Sequence, residues 1–114
     1  MSHYFDPQTS LAIDIIKNSK NIVAFCGAGL STESGIPDFR SSGGLWSQYD
    51  PAKYADYNVF LKNPEYYWEL ERKFGKIFLK AKPNNGHKSL VKLEKKGKLK
   101  AIITQNMDNL QQSA

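Results

Sequence analysis

The fold of this chain is decided by the stretch from Asn21 to Arg40, NIVAFCGAGLSTESGIPDFR. It opens with the apolar run Ile22–Cys26, whose β-branched and aromatic residues predict a strand that is buried on both faces. The run ends at Gly27-Ala28-Gly29, where two glycines allow a sharp turn and close approach to a bound group. Ser31 and Thr32 follow as residues at which a helix can begin. Because free N–H groups and the helix dipole converge there, the stretch predicts an anion cradle for a phosphate or a dinucleotide.

The spacing of this cradle departs from the usual dinucleotide fingerprint. The position of the third glycine is occupied by Thr32, and the next glycine is Gly35. Asp50 lies near the distance expected for an acidic ribose contact, but the sequence Tyr49-Asp50-Pro51 is typical of a turn. Two interpretations therefore stay open at this stage: an unusual phosphate-binding variant, or glycines that only make a turn.

Length and composition predict one modest globular domain. The chain has 114 residues, of which 40% are hydrophobic and 24% are charged. We find no secretory signal at the N-terminus and no apolar run near the ~20 residues that span a bilayer. We therefore expect an intracellular protein, cytoplasmic or nuclear, without a membrane partner. The single Cys26 excludes an internal disulfide and a cysteine-based zinc site within these residues, so no metal ligand is assigned.

The formal charge of +5 is concentrated between Lys73 and Lys100, where Glu94 is the only acidic residue. One interpretation is a basic patch for nucleic acid or an acidic partner. We favour a solvated helix face and expect no nucleic-acid partner, because Leu90, Val91 and Leu93 supply a packing face among the lysines.

Helix signals recur along the chain. The first helix should begin at Asp6-Pro7, with Thr9 or Ser10 as alternative caps, and should bury a stripe of apolar residues against the sheet. The predicted stripe comprises Leu11, Ala12, Ile15 and Ile16. Further helices are predicted from Asp50-Pro51 through Tyr54, from Asn63-Pro64 to about Lys80, and from His87 to near Gly97. In the long helix we favour a core role for Tyr67, Trp68, Phe74, Ile77 and Phe78, with a groove for an apolar substrate as the alternative.

Neither histidine is a convincing general base. His3 lies in a terminus that we expect to be disordered. His87 stands at a helix start, where a packing and hydrogen-bonding role is the more common one.

The loop after Gly35 combines polar and aromatic residues. Pro37 stops a helix and the Ser41–Gly44 cluster predicts a mobile loop. Phe39 and Trp46 in such a loop favour a lid over a ligand, although Trp46 could instead anchor the loop to the core.

A second buried strand is predicted at Leu99–Thr104, followed at once by Gln105, Asn106 and Asp108. Because helices separate the two strands, we expect them to be parallel and to end at the same edge of the sheet. Gln, Asn and Asp at that edge suit ribose hydroxyls and a carboxamide; alternatively, Asn106 or Asp108 only caps a helix. The predicted fold class is therefore α/β.

Two motifs together resemble the sirtuin (Sir2) family of NAD-dependent protein deacylases: GAGLSTESGIPDFR at 27–40 and TQNMD at 104–108. The similarity runs from about Lys20 to the last residue. It implies a partial Rossmann-like parallel sheet with flanking helices, incomplete at the C-terminus, so that residues 1–114 form the N-terminal part of a catalytic domain. It also implies NAD as cofactor and an acyl-lysine protein as substrate. Protein ADP-ribosyl transfer and non-catalytic binding of NAD or ADP-ribose are the alternatives.

The resemblance also implies roles for individual residues. Gly27, Ala28, Gly29 and Ser31 would meet the NAD phosphates. Asp38, Phe39 and Arg40 would form the flexible cofactor loop, with Trp46 beside it. Ile36, Asn106 and Asp108 would surround the nicotinamide, and Gln105 and Asn106 would reach the nearby ribose. Asn106 and Asp108 are the candidate catalytic residues.

Some parts of the family pattern are not found in this sequence. The catalytic histidine and the four zinc cysteines of the family lie downstream of TQNxD, so we expect zinc only in a full-length form and no activity from these residues alone. The Gly-Leu-His-Gln that usually follows TQNxD is here Asn109, Leu110, Gln111 and Gln112. Members that remove succinyl groups carry a Tyr and an Arg where this chain has Glu71 and Phe74, so the resemblance implies an acetyl or apolar acyl group.

Overall fold

The computed structural model describes residues 5–114 and is organised on a two-stranded parallel sheet. Strand β1 (Ile22–Cys26) pairs with strand β2 (Leu99–Thr104), from Ile22 opposite Leu99 to Cys26 opposite Thr104, with one irregularity after Ile22. The parallel order confirms the predicted α/β class, since the chain between the strands is long enough for a helical crossover. Both strands end at one edge of the sheet. The expectation for His3 lies outside the described residues.

Helices occupy most of the chain between and around the strands. In chain order, the α-helices of the described residues are α1 (Pro7–Asn18), α2 (Pro51–Tyr54), α3 (Tyr57–Lys62), α4 (Glu65–Lys80), α5 (Asn85–Lys95) and α6 (Leu110–Ser113). Across residues 5–114, every helix is too short or too polar to cross a membrane.

Local capping explains where several helices begin. Asp6 accepts hydrogen bonds from the N–H groups of Gln8 and Thr9, both at 3.0 Å, so Asp6 caps α1 and the alternatives do not. Asp50 caps α2, as predicted, and Asp56 caps α3, a helix that the sequence interpretation missed. α4 ends at Lys80 as predicted but begins at Glu65, one residue later than expected, with Pro64 as the flanking residue.

The helix after the glycine turn begins earlier than predicted. A 3₁₀ helix spans Ala28–Ser34, with Gly27 as its N-cap and Gly35 (φ 85°) as its left-handed C-cap. The prediction of a helix start at Ser31 or Thr32 is therefore wrong. Its physical reason is that the backbone of Gly27 caps the turn by itself: its carbonyl accepts from the N–H of Leu30 at 3.1 Å.

The apolar faces of the sheet and of α1 are exposed, which overturns two predictions. Val23, Phe25 and Ile103 keep 57%, 77% and 53% of their surface exposed. The predicted stripe on α1 is also uncovered, since none of its residues is buried. A strand is buried on both faces only when other layers cover both sides, and a sheet of two strands leaves them open. The radius of gyration of 17.6 Å exceeds the ~13 Å of a compact domain of this length.

Candidate functional site

A cavity of about 610 Å³ opens where both strands end. Its walls come from the 3₁₀ helix Ala28–Ser34, the loop 36–46, α2, α4 and the segment 105–108. Of the predicted site residues, Ala28, Gly29, Ser31, Ile36, Asp38, Phe39, Arg40, Trp46, Gln105, Asn106 and Asp108 line it. Gly27 does not line the cavity; it immediately precedes the lining residue Ala28 in the chain. Segments far apart in sequence are thus brought to one cavity, as an open parallel sheet favours.

The glycine turn is packed tightly on one side and open on the other. A Cβ added to Gly27 would lie 3.1 Å from Nε2 of Gln105, and the amide of Asn106 donates to the carbonyl of Gly27 at 2.9 Å. A Cβ added to Gly29 would meet nothing within 4 Å. The turn is therefore fixed to the end of β2, while Gly29 leaves space at the cavity wall that a ligand could occupy.

A buried hydrogen bond joins the two motifs. The hydroxyl of Ser31, which is 1% exposed, donates to Oδ2 of Asp108 at 2.5 Å. The other oxygen of Asp108 accepts from the N–H of Leu110 at 3.0 Å. Two donors therefore fix the orientation of this half-buried carboxylate, with acceptor capacity left for a further group. The N-cap of α6 is Asn109, so the alternative of Asn106 or Asp108 as the cap is wrong, although Asp108 accepts from the first N–H of the helix.

The chain turns sharply after Asp108. Asn109 has φ 60°, a left-handed conformation that Asn tolerates better than most residues. Gln111 then donates through Nε2 to the hydroxyl of Thr104 at 3.0 Å, and that hydroxyl also accepts from the N–H of Asn106 at 3.0 Å. This hydrogen bond from Gln111, whose role the sequence did not reveal, connects α6 to the end of β2.

The loop 36–46 is closed by its own hydrogen bonds. The N–H groups of Leu45 and Trp46 donate to the carbonyls of Asp38 and Phe39 at 2.7 and 2.9 Å. The carboxylate of Asp38 accepts from both the backbone and the hydroxyl of Ser41. Asp38 lines the cavity, but its carboxylate is engaged by Ser41 and stabilises the loop.

Aromatic rings cover one side of this loop. The rings of Phe39 and Trp46 lie 5.4 Å apart, and Phe39 is 41% exposed while Trp46 is half-buried. Both line the cavity. The lid interpretation stays a prediction. Arg40 is exposed at the same cavity, and within the described chain its guanidinium has no ion-pair partner.

The N-terminus of α5 is hydrogen-bonded to the 3₁₀ helix Ala28–Ser34, a contact that the sequence interpretation missed. The amide of Asn84 donates to the carbonyl of Leu30 at 2.7 Å and to the hydroxyl of Ser34 at 3.0 Å. Nδ1 of the buried His87 accepts from the N–H of Asn84, while Oδ1 of Asn84 accepts from the N–H of His87. This reciprocal capping box confirms the packing and hydrogen-bonding role predicted for His87. The Asn-Asn-Gly-His sequence was the available signal.

The α4 wall of the cavity is aromatic. Tyr67, Phe74 and Phe78 line the cavity and are half-buried, so they are not core residues as we favoured. That the groove takes an apolar substrate stays a prediction. Burial raises the pKa of Tyr67, and the neighbouring Glu71 carboxylate raises it further. Glu71 is the single charged residue that α4 contributes to this cavity.

The described residues do not supply a metal centre. Between residues 5 and 114, no three His, Cys, Asp or Glu side chains are grouped to hold an ion, and Cys26 is a buried free thiol.

Comparison with known proteins gives a family match that includes both motifs. Residues 27–114 match the Sir2 family. The chain belongs to the Sir2 family. A protein of Thermodesulfovibrio yellowstonii named NAD-dependent protein deacetylase is 44% identical over 110 residues, which cover 96% of this chain and 43% of that protein. A Pyrococcus abyssi protein named NAD-dependent protein deacylase is 48% identical over 101 residues, covering 88% of this chain and 40% of that protein.

Solved structures show the same fold. A Sir2 homologue in complex with NAD superimposes with a TM-score of 0.79 at 39% identity and covers 97% of this chain. A Sir2 variant with a deacetylated p53 peptide and 3′-O-acetyl ADP-ribose gives 0.81 at 40% identity and covers 91%. The chain spans 43% and 42% of these two structures. The Sir2-type, Rossmann-like fold expected from the sequence is thereby confirmed for the part of the domain present here.

Proposed function

We propose that this Sir2-family chain forms the NAD-binding part of an NAD-dependent protein lysine deacylase. The observation that carries the proposal is the meeting of the open glycine turn at Gly29 with the Ser31–Asp108 pair in one cavity. The names of its relatives, NAD-dependent protein deacetylase and deacylase, support the same activity.

In this proposal the glycine turn binds the phosphates of NAD. Gly27, Ala28 and Gly29 form the start of a helix whose first N–H groups are available to an anion, and Gly29 leaves room for it. The hydroxyl of Ser31 donates to Asp108, and the N–H of Leu30 donates to the carbonyl of Gly27, so the free N–H groups of the cradle are those that precede Leu30. Arg40, exposed and without an ion pair among residues 5–114, is free to reach the phosphates.

The nicotinamide would lie against Ile36, Asn106 and Asp108. Ile36 is buried at the cavity wall and offers an apolar surface for the ring. Asp108, oriented by Ser31, can accept from the carboxamide N–H₂ group. Gln105 and Asn106 would reach the adjacent ribose, and Phe39 and Trp46 would shield it from water.

Bound NAD supplies an electrophilic ribose carbon and a leaving group. The side chains of this chain orient the leaving carboxamide and hold polar groups beside the developing charge, so their contribution is preorganisation. The family resemblance puts the histidine base downstream of residue 108, and His87 is buried in its capping box. We therefore expect the 114 residues alone to bind the cofactor without turnover.

Calorimetric titration with ADP-ribose tests the binding claim. Micromolar binding by the wild-type chain is the expected result, and the absence of heat together with the absence of a thermal shift would remove the proposal. Nicotinamide release from NAD and an acetyl-lysine peptide tests the activity claim. We expect release by a form extended with the C-terminal region of a Sir2 relative and none by the chain alone.

A non-catalytic NAD or ADP-ribose binder is the second candidate, favoured because His87, the one histidine among residues 5–114, is buried in its capping box. The two candidates differ in turnover by the extended form. Protein ADP-ribosyl transfer shares the first step with deacylation, and radiolabelled NAD incorporated into protein would distinguish it.

A further inference from the structure

The sequence contains one Asn-Gly pair, Asn85-Gly86, and it stands in the first turn of α5. Asn85 is exposed, and within residues 5–114 its side-chain amide has no hydrogen-bond partner. An asparagine that precedes glycine is prone to deamidation, because glycine has no side chain to obstruct the approach of its own backbone nitrogen to the asparagine side chain. Asn85 therefore carries a reactive group that the proposed cofactor contacts do not use.

The nitrogen that would attack is bound by the cap of α5. The N–H of Gly86 donates to Oδ1 of Asn84 at 2.8 Å, and the same oxygen accepts from the N–H of His87. His87 is 1% exposed and in turn accepts from the N–H of Asn84 at 3.2 Å. A nitrogen fixed in this helical turn is not free to rotate toward the side chain of Asn85. Attack therefore requires the capping box to open first.

The cap is also connected to the 3₁₀ helix Ala28–Ser34. The amide of Asn84 donates to the carbonyl of Leu30 at 2.7 Å and to the hydroxyl of Ser34 at 3.0 Å. A Cβ added to Gly86 would lie 2.8 Å from Cδ1 of Leu30, so a side chain at position 86 would require Leu30 to move. Opening of the capping box thus breaks contacts on both elements, and the stability of these contacts determines how often Gly86 is free to react.

The reaction needs water as its one co-reactant. The backbone nitrogen of Gly86 loses its proton and attacks Cγ of Asn85, the bond from Cγ to the side-chain nitrogen breaks, and ammonia leaves. Water then opens the resulting five-membered succinimide at either of its two carbonyls. One opening gives aspartate. The other gives isoaspartate, in which the main chain runs through the former side-chain carbon, and nothing is oxidised or reduced in either route.

The two products differ in their effect on the cap. Aspartate keeps the course of the backbone and adds a negative charge in the first turn of α5, where the helix dipole favours it. Isoaspartate adds one carbon to the main chain between Asn84 and Gly86, so that Oδ1 of Asn84 no longer lies opposite the N–H groups of Gly86 and His87. The isoaspartate form therefore loses the capping box that positions Asn84 against the 3₁₀ helix.

We propose that Asn85-Gly86 is a site of spontaneous deamidation whose rate is set by opening of the Asn84–His87 capping box, and that the isoaspartate product releases α5 from the 3₁₀ helix Ala28–Ser34. The juxtaposition of the exposed Asn85 with a Gly86 N–H that is bound by Asn84 carries the proposal. It does not depend on the proposed function, because neither NAD nor an acyl-lysine takes part.

The test incubates the 114-residue chain and a peptide of residues 80–92 at neutral pH, and follows deamidation at Asn85 by mass spectrometry of proteolytic fragments. Deamidation should be about thirtyfold slower in the folded chain than in the peptide, because opening breaks at least two hydrogen bonds. Hydrogen exchange of the Gly86 amide, measured by NMR, reports the same opening. The protection of Gly86 from exchange and the protection of Asn85 from deamidation should therefore agree within about threefold.

Two variants and one control separate local opening from global unfolding. Asn84→Ala removes the oxygen that binds Gly86, so deamidation should be about tenfold faster than in the wild type. Ser34→Ala removes one contact of the Asn84 amide and leaves its oxygen in place, so an acceleration of about threefold is expected. Lys98→Met removes hydrogen bonds at the end of α1, and it should leave the deamidation rate unchanged.

Equal rates in the folded chain and the peptide, a folded Asn84→Ala chain that reacts no faster than the wild type, or an acceleration in Lys98→Met equal to that in Asn84→Ala would each overturn the proposal. Where Asn84→Ala does not fold, Ser34→Ala and the exchange of Gly86 in the wild type decide. The isoaspartate form, separated by chromatography, should melt at least a few degrees lower than the unmodified chain and exchange the His87 amide faster. An isoaspartate form with unchanged melting and exchange would contradict the release of α5.

Discussion

Ser31 and Asp108 stand 77 residues apart in the chain, and the hydroxyl of Ser31 donates to the carboxylate of Asp108 at 2.5 Å. The bond crosses from the 3₁₀ helix after β1 to the segment after β2. It therefore couples the predicted phosphate cradle to the predicted nicotinamide contact, and each half depends on the other for its geometry.

Replacing Ser31 by Ala should weaken both stability and binding. Asp108 would lose one of its two donors in a part-buried site, which we expect to cost about 2 kcal/mol of unfolding free energy. The loosened carboxylate should reduce NAD affinity about tenfold, while ADP-ribose, which lacks nicotinamide, should lose less. Urea denaturation and calorimetry measure the two effects.

The matched control for this change is Ser89→Ala, because Ser89 bonds only to the carbonyl of Asn85 on the exposed face of α5. Its effect should stay within about 0.5 kcal/mol. Equal losses of NAD and ADP-ribose affinity in Ser31→Ala would argue against a role of the pair at the nicotinamide.

Gly29→Ala should separate folding from binding. The added Cβ would meet nothing within 4 Å, so the melting temperature should stay within a few degrees of the wild type. A bound phosphate in that space would meet the methyl group, and ADP-ribose affinity should fall at least about tenfold. Undiminished binding by a folded Gly29→Ala chain would mean that the phosphates lie elsewhere.

Gly44→Ala is the control for Gly29→Ala, because the added Cβ has no room at Gly44. There the added Cβ would lie 2.6 Å from Oδ1 and 2.9 Å from the carbonyl oxygen of Asp38, so the loop itself must shift. We expect Gly44→Ala to lower stability, whereas Gly29→Ala does not.

The sequence was sufficient to predict features that depend only on residues nearby in the chain. The strand Leu99–Thr104 begins and ends as its apolar run predicts, and Asp6 caps α1 because its side chain needs only the next turn of backbone. The meeting of the glycine turn with Gln105 also followed, since parallel strands end at one edge.

Burial and long-range contacts could not be predicted from the sequence in this way, because they depend on residues and layers that are distant in the chain. The pattern of Val23 and Phe25 is that of a doubly covered strand, but burial is a property of neighbouring layers and not of the strand. The bond from Asn84 to Leu30 joins residues 54 apart, and no periodicity specifies such a pair. The position of Tyr67 and Phe74 at the cavity was only the less favoured alternative, because core and groove residues share the same helical spacing.

The left-handed turn at Asn109 should distinguish Gly from Ala. With φ at 60° and no side-chain hydrogen bond in the described structure, Asn109→Gly should be at least as stable as the wild type. Asn109→Ala keeps a Cβ without the local tolerance of Asn and should be about 1 kcal/mol less stable than Asn109→Gly. Equal urea midpoints for the two variants would contradict this conformation.

Lys98 should hold the end of α1. Its ammonium group donates to the carbonyls of Lys17 at 2.5 Å, Ser19 at 2.9 Å and Ile16 at 3.3 Å, where the helix leaves carbonyls unpaired. Lys98→Met should therefore cost about 1 kcal/mol and speed hydrogen exchange at the end of α1. Lys76→Met, an exposed lysine of α4, is the control and should change neither quantity. Unaltered exchange in Lys98→Met would show that the contacts are not stabilising.

The titration of Tyr67 should depend on Glu71. Burial first, and then the hydrogen bond and charge of Glu71, raise the pKa of Tyr67 above its ordinary value of 10.0. Because the pKa is raised in the folded state, the associated stability is present below the unfolded value and is lost as the pH rises through the folded value. Glu71→Gln should lower the pKa of Tyr67 toward 10.0 without reaching it, since burial remains. Glu69→Gln should leave the titration of Tyr67 unchanged.

The Cζ chemical shift of ¹³C-labelled tyrosine, followed by NMR from neutral to alkaline pH, measures the pKa of Tyr67. An identical midpoint in the wild type and Glu71→Gln would show that the carboxylate does not face Tyr67.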